Sequence, residues 1–216
     1  LSVEPERTLL IGSPFNTNQI EIITNIVKSL PVGYSLYVKE HPSMDTRDWR
    51  KISYYKKIMN LPNVKLIHPN VKSDICLKNS SLVITIGGTM GLDALFYEKP
   101  SITLTKTIYS TIESVFTLDN ISNLPSVIHE ALETKVNFSS LNKFINLIEH
   151  NCFEFRLSDF ENDTHDQLFY GGFLSDVEIS ESKMISLLDN YREQFSILAD
   201  AHMNKIKQHK QHSLDG

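Results

Sequence analysis

Residues 84–95 read Ile84-Thr85-Ile86-Gly87-Gly88-Thr89-Met90-Gly91-Leu92-Asp93-Ala94-Leu95, and this stretch decides the fold class. Leu82 to Ile86 is an apolar, β-branched run of the length of a buried strand. Two glycines follow where the chain must turn. Met90 to Tyr97 then has helical composition, and Lys99-Pro100 stops it before a second β-rich run, Ser101 to Leu104. Strand, glycine turn, helix and strand within residues 81–104 make a βαβ unit, whose crossover predicts parallel strands.

The same alternation extends outward on both sides. Upstream, Thr8 to Ile11 reads as a strand ending in Gly12-Ser13-Pro14, and Asn18 opens a helix carrying Ile22, Ile23, Ile26, Val27 and Leu30 at helical spacing. Pro31-Val32-Gly33 ends that helix. Tyr34 to Lys39 is the next strand, Arg47 to Asn60 a helix, Val64 to Ile67 a strand and Ser73 to Asn79 a short helix. Downstream, Val115 to Leu118 reads as a last short strand, with helices over Leu124 to Glu133 and Leu141 to His150. Short strands alternating with helices predict an α/β fold: a Rossmann-like parallel sheet with helices on both faces, occupying residues 1–150.

Residues 151–216 differ in character. Glu154 to Gly172 mixes acids, aromatics and glycine without a clear period and is expected to be irregular. From Ser180 to about Gln208 one long helix is expected, with Met184, Leu187, Leu188, Tyr191, Phe195, Leu198 and Met203 along one side. Its basic, His-rich end, Lys205 to His212, is expected to fray. This segment would pack on the first domain or on a partner domain.

With 216 residues the chain is long enough to bury a substantial core. A hydrophobic fraction of 41% and a charged fraction of 22% place it among ordinary globular proteins. The net charge of −5 argues against a nucleic-acid partner, which usually demands a basic surplus. Cys76 and Cys152, the only cysteines, show neither metal nor redox spacing, which fits a reducing, cytoplasmic setting. No apolar run reaches the roughly 20 residues needed to span a bilayer. The start, Leu1-Ser2-Val3-Glu4-Pro5-Glu6, lacks Met and reads as the edge of a longer protein.

Chemistry concentrates at two strand ends. At the first, Gly87, Gly88 and Gly91 permit a sharp turn and close approach to backbone N–H groups, at the positive end of the following helix. Thr89 can cap that helix or bind a phosphate oxygen, Met90 opens its first turn, and Asp93 lies one turn further in, within reach of a ribose hydroxyl. Neither a Walker ending nor the dinucleotide GxGxxG spacing is present. On the residues alone two readings stay open, a tight βα turn or a phosphate cradle.

At the second, Tyr37-Val38-Lys39-Glu40-His41-Pro42 ends another strand. Ligands of open α/β sheets lie beyond the carboxyl ends of the strands, so His41 and Thr89 are expected to face one crevice. Pro42 biases His41 toward an extended conformation, and the imidazole can hold a phosphate or assist its departure. Lys39 supplies a neighbouring cation. Ser13 and Asn16 could line the same crevice, although both residue types commonly form loops. Thr105, Lys106, Thr107 and Tyr109 follow the next strand, where a base-binding loop would lie, and solvated loop is the simpler reading. The eight histidines form no metal constellation, and no nucleophile elbow is present.

Taken in order, Val38-Lys39-Glu40-His41-Pro42 and Gly88-Thr89-Met90-Gly91-Leu92-Asp93-Ala94-Leu95, followed by Lys99-Pro100, resemble the carboxyl-terminal half of bacterial capsule polysaccharide biosynthesis proteins, which include Kdo-transferring glycosyltransferases. Pro5-Glu6-Arg7-Thr8-Leu9-Leu10, Asn18-Gln19, Leu30-Pro31 and Leu61-Pro62-Asn63-Val64 fit the same pattern, so the likeness covers roughly Leu1 to Tyr109. The resemblance implies a GT-B architecture whose carboxyl-terminal domain holds a nucleotide sugar, with a CMP- or UDP-linked donor expected as substrate and no separate cofactor; no DxD-like pair at a strand end demands a metal. It implies that His41 contacts the nucleotide phosphate, that the backbone of Gly88 and Thr89 cradles it, and that Asp93, where the family usually has Glu, takes the ribose. It further implies a glycan or glycolipid acceptor, a catalytic base on an amino-terminal domain absent here, and peripheral association of the whole protein with the inner face of the cytoplasmic membrane. The piece alone is then expected to bind without turnover. A sugar-nucleotide epimerase, a polyol-phosphate transferase or a non-catalytic assembly module are the alternatives.

Overall fold

The computed structural model describes residues 1–2, 10–41, 50–169 and 178–212, which fall into two units, Leu1–Ile145 and Asn146–Gly216. The first is a mixed α/β unit of short parallel sheets flanked by helices. After a 3-10 turn at Pro14–Asn16, helix α1 spans Gln19–Ser29. Asn18 starts it, its side chain accepting from the Glu21 N–H at 3.4 Å and donating to the Glu21 carboxylate at 3.2 Å. Leu30 turns extended ahead of Pro31, and Gly33, at φ +93, makes the reversal into the first strand.

Strand β1 (Leu36–Lys39) pairs in parallel with β2 (Val64–Ile67), Leu36 opposite Val64 and Lys39 opposite Ile67. Helix α2 (Ile52–Met59) connects them and buries Ile58 completely. Asn63, at φ 56, takes the left-handed conformation that Asn tolerates, and its carbonyl accepts from the Leu36 N–H at 2.8 Å. Helix α3 (Ser73–Lys78) leads to a three-stranded parallel sheet of β3 (Val83–Thr85), β4 (Ser101–Thr103) and β5 (Val115–Thr117), in that spatial order. Helix α4 (Met90–Phe96) is the crossover between β3 and β4.

Ser101, Ile102 and Thr103 are each fully buried. Successive residues of a strand face opposite sides, so β4 is covered on both faces, as the central strand of a parallel sheet must be. Ile22 and Ile26 of α1 meet Ile102, Ile86 and Leu104 around β4, together with Leu124, Ile128 and Ala131 of helix α5 (Leu124–Glu133). A second cluster, Ile23, Val38 and Ile58, packs α1 and α2 against β1. Helix α1 thus contributes opposite sides of one apolar stripe to both clusters.

Helix α6 (Phe138–Asn151) begins at Phe138 rather than Leu141, because the Asn137 side chain accepts the Ser140 N–H at 3.1 Å. In the second unit, residues 157–168 are helix α7 rather than irregular chain. The few apolar residues of α7 suffice, because Leu168 is buried with Leu187 and Tyr191 while Phe160 packs beside them. The long helix expected from Ser180 is two helices, α8 (Glu181–Asn190) and α9 (Arg192–His212). Tyr191 breaks it, at φ −109 and ψ 10. There its ring meets Phe160 edge-on at 5.1 Å and its hydroxyl donates to the Asp163 carboxylate at 2.6 Å, which ties the break to α7. Helix α9 runs through the basic end to His212.

The strand expected at Thr8 to Ile11 lies outside the described residues up to Leu9. Leu10 and Ile11 are not in strand and are 51% and 71% exposed. This segment is held by side chains instead: Thr105 donates to the Gly12 carbonyl at 2.8 Å and Asn16 Nδ2 to the Leu104 carbonyl at 3.2 Å. Of the helix expected from Arg47, the part up to Trp49 lies outside the described residues, and Arg50 and Lys51 precede the observed start at Ile52. Pro42 also lies outside them.

Candidate functional site

The glycine turn follows β3, whose end is anchored by buried Ile86. Two side chains shape it. Thr85 Oγ1 accepts the Gly88 N–H at 3.0 Å, while the Tyr109 hydroxyl donates to the Gly88 carbonyl, which also receives the Gly91 N–H at 3.2 Å. Both polar groups of Gly88 are therefore engaged within the protein. A Cβ on Gly91 would come within 2.7 Å of the Tyr109 hydroxyl oxygen and 3.2 Å of Thr85 Cγ2, so glycine is required there by contact rather than by backbone angle.

Thr89 begins α4 in helical conformation and its hydroxyl makes no capping bond. Its carbonyl takes the N–H groups of Leu92 and Asp93, both at 2.9 Å. The N–H groups of Thr89 and Met90 are those that the first turn of a helix leaves over, and among the described residues they meet no acceptor. Because α4 is only 7 residues long, its dipole is modest, and anion binding here depends on local N–H groups and nearby cations.

Asp93 is exposed on α4 and its charge is felt by Tyr109. The Tyr109 phenol is pushed above its usual pKa, first by burial and then by Asp93, against an opposing hydrogen bond with Thr107. It remains a protonated donor at neutral pH.

Ser13 is buried, its hydroxyl accepting from Asn16 Nδ2 at 2.7 Å. Through Asn16 and Thr105 this loop is bound to the end of β4, next to the strand that carries the glycine turn. Loop 12–16, the glycine turn and the loop carrying Tyr109 are thus joined by hydrogen bonds at the carboxyl ends of β3 and β4.

The second strand end is organised around Glu40. Its carboxylate, 2% exposed, accepts the His41 N–H at 2.8 Å, Arg50 Nε at 3.0 Å and the Tyr55 hydroxyl at 2.9 Å. Arg50 also lies over the Tyr54 ring, 4.9 Å from its centroid. Burial, followed by the bond to Glu40, pushes the Tyr55 phenol up to about 12. Lys39 Nζ donates to the Pro69 carbonyl at 2.9 Å and so ties β1 to the loop after β2. Among the described residues no hydrogen bond or ion pair connects Lys39 to the glycine turn.

An open depression beside β2, lined by Tyr55, Met59, Lys65, His68 and Glu40, contains no residue of the turn. The Glu40 carboxylate there is already satisfied by protein donors, whereas the turn presents N–H groups, so the turn is the stronger candidate. Among the described residues no group of His, Cys, Asp and Glu is placed to hold a metal ion, and no helix is long and apolar enough to cross a membrane.

The contributions of Thr85, Arg50 and Tyr55 escaped the sequence, and Tyr109, for which a solvated loop was the simpler reading, is instead buried against the turn. Thr85 looks like any β-branched strand residue, and Tyr109 is separated from Gly88 by 21 positions, so only folding brings them together.

No curated protein and no solved structure matched the chain. The family model described as capsule polysaccharide biosynthesis protein matches residues 1–115, a span that takes in His41, the glycine turn and Tyr109. With more than half of its 216 residues matched, the chain belongs to the family of capsule polysaccharide biosynthesis proteins and has a role in capsule synthesis.

Proposed function

We propose that this chain is the nucleotide-sugar-binding domain of a glycosyltransferase that builds capsule polysaccharide, completed by a second domain in a GT-B arrangement. The observation that carries this reading is the glycine turn at the carboxyl end of β3, braced by Thr85 and Tyr109 within the family-matched part of the chain. Such a turn brings N–H groups close to a phosphate without side-chain obstruction.

In the reaction, an acceptor hydroxyl attacks the anomeric carbon, the bond from that carbon to the phosphate oxygen breaks, and its electron pair stays on the departing nucleotide. The turn and the His41 imidazole offset the charge that develops there, which lowers the barrier only so far as they hold the departing phosphate more tightly than the bound donor. The acceptor proton passes to a base on the partner domain. Asp93 holds the ribose, and the acceptor is a glycan or glycolipid at the membrane surface. This domain by itself binds donor without transferring it.

Titration calorimetry with CMP, UDP and GDP tests the reading, on wild type and on His41→Ala. Binding of one base class, weakened by the substitution, supports it; no binding at millimolar nucleotide sinks it. In the full-length protein, release of free nucleotide should require an acceptor glycan, and turnover of a sugar nucleotide alone would point to epimerisation.

A further inference from the structure

The geometry points to Tyr109 as a positioning residue of the donor site, one that sets the shape of the glycine turn and couples it to the loop following β4; this rests on the nucleotide-binding reading above. Three contacts carry it. The Tyr109 hydroxyl donates to the Gly88 carbonyl, at the centre of the turn. Its ring and hydroxyl fill the space over Gly91, with Cε2 3.2 Å and the oxygen 2.7 Å from where a Cβ would stand. The side chain is also 3% exposed, so its orientation is imposed by packing rather than by solvent.

Tyr109 is held from its own side as well. The Thr107 N–H donates to Ser110 Oγ at 2.9 Å, and the Tyr109 carbonyl accepts the Ile112 N–H at 3.1 Å, which folds residues 107–112 into a compact loop. The same loop begins at Thr105, which is bound to Gly12. Moving Tyr109 therefore moves both the turn that meets the phosphate and the loops beside it. Thr85 restrains Gly88 through its N–H and Tyr109 restrains it through its carbonyl, so the peptide groups on either side of Gly88 have little freedom. A turn held in one conformation before the ligand arrives avoids the ordering cost of binding.

The test compares wild type with Tyr109→Phe, which keeps the ring and removes only the hydroxyl, by calorimetry with CMP, UDP and GDP and with the phosphate-free nucleosides. The expected result is a loss of about tenfold in affinity for the nucleotide that wild type binds, from release of one hydrogen bond, with the matching nucleoside little changed. Gly91→Ala should produce the same selective loss, and should cost less when made in the Tyr109→Phe background, because the hydroxyl it strikes is gone. Equal nucleotide affinity in Tyr109→Phe and wild type overturns the inference, as does an equal loss for nucleotide and nucleoside. Should Tyr109→Phe fail to fold, unaltered nucleotide binding by Gly91→Ala overturns it in its place. If wild type binds none of the nucleotides, the donor-site reading falls and this inference with it.

Discussion

The Glu40 carboxylate and Arg50 Nε lie 3.0 Å apart with side-chain exposures of 2% and 8%. A buried charge pair of this kind responds strongly to a single deletion, because the charge left behind in a poorly solvated place loses its hydrogen-bonded partner. Replacing Glu40 by Ala should destabilise the first unit by about 3–5 kcal/mol. Chemical denaturation checks it, and a loss below about 1 kcal/mol would mean that the pair is open to solvent.

Alkaline titration offers a second check. Tyr55 and Tyr191 each have a folded-state pKa of about 12 against an ordinary 10, Tyr55 chiefly through burial and Tyr191 chiefly through its bond to Asp163. Between those values the unfolded chain has lost the proton that the native state keeps. Their contribution to stability is therefore complete below pH 10 and declines as pH rises toward 12. Ultraviolet titration of the native protein should show Tyr55 and Tyr191 among its late tyrosinates, beside the raised Tyr109, with Tyr55→Phe and Tyr191→Phe each deleting one. Ionisation of both near 10 would contradict the two hydrogen bonds.

Asp93 allows function to be separated from stability. Being exposed on α4, it can be replaced by Asn with a change in stability of no more than about 0.5 kcal/mol. Under the proposed role, the same substitution weakens nucleotide binding about tenfold through the lost ribose contact, and Asp93→Glu restores most of it. Unchanged affinity in Asp93→Asn would remove the ribose assignment while leaving the turn in place.

In the second unit, Leu187 is 1% exposed and packs with Leu168 and Tyr191. Leu187→Ala should cost about 2–5 kcal/mol, the range for a buried leucine whose cavity only partly collapses. Substituting exposed Met184 in the same helix should change stability by about 0.5 kcal/mol or less. Equal effects would show that residues 181–190 do not present the face described.

Legibility followed the range of the forces involved. The βαβ unit around residues 84–95 was readable because strand, turn and helix are specified by neighbours: β-branched Ile84 and Thr85, paired glycines, then Leu92, Ala94 and Leu95 at helical spacing. Asn18 as the start of α1 was readable for the same reason, since its partner Glu21 lies within the same turn. Helix α7 was not readable, because its pattern is too polar to declare itself and its packing is settled by Leu187 and Tyr191, far along the chain. The break at Tyr191 likewise depends on Asp163, a residue that no local window contains.

By itself, then, the sequence determined the α/β alternation and the capsule-family likeness, and it marked two strand ends as candidates for the site. Only the tertiary structure decided how the glycine turn is held. Thr85 takes the N–H of Gly88, Tyr109 takes its carbonyl, and Gly91 is glycine because Tyr109 occupies the space a side chain would need. Composition permits such a turn, but a hydrogen bond spanning 21 positions exists only after β3 and β4 pair and bring their following loops together.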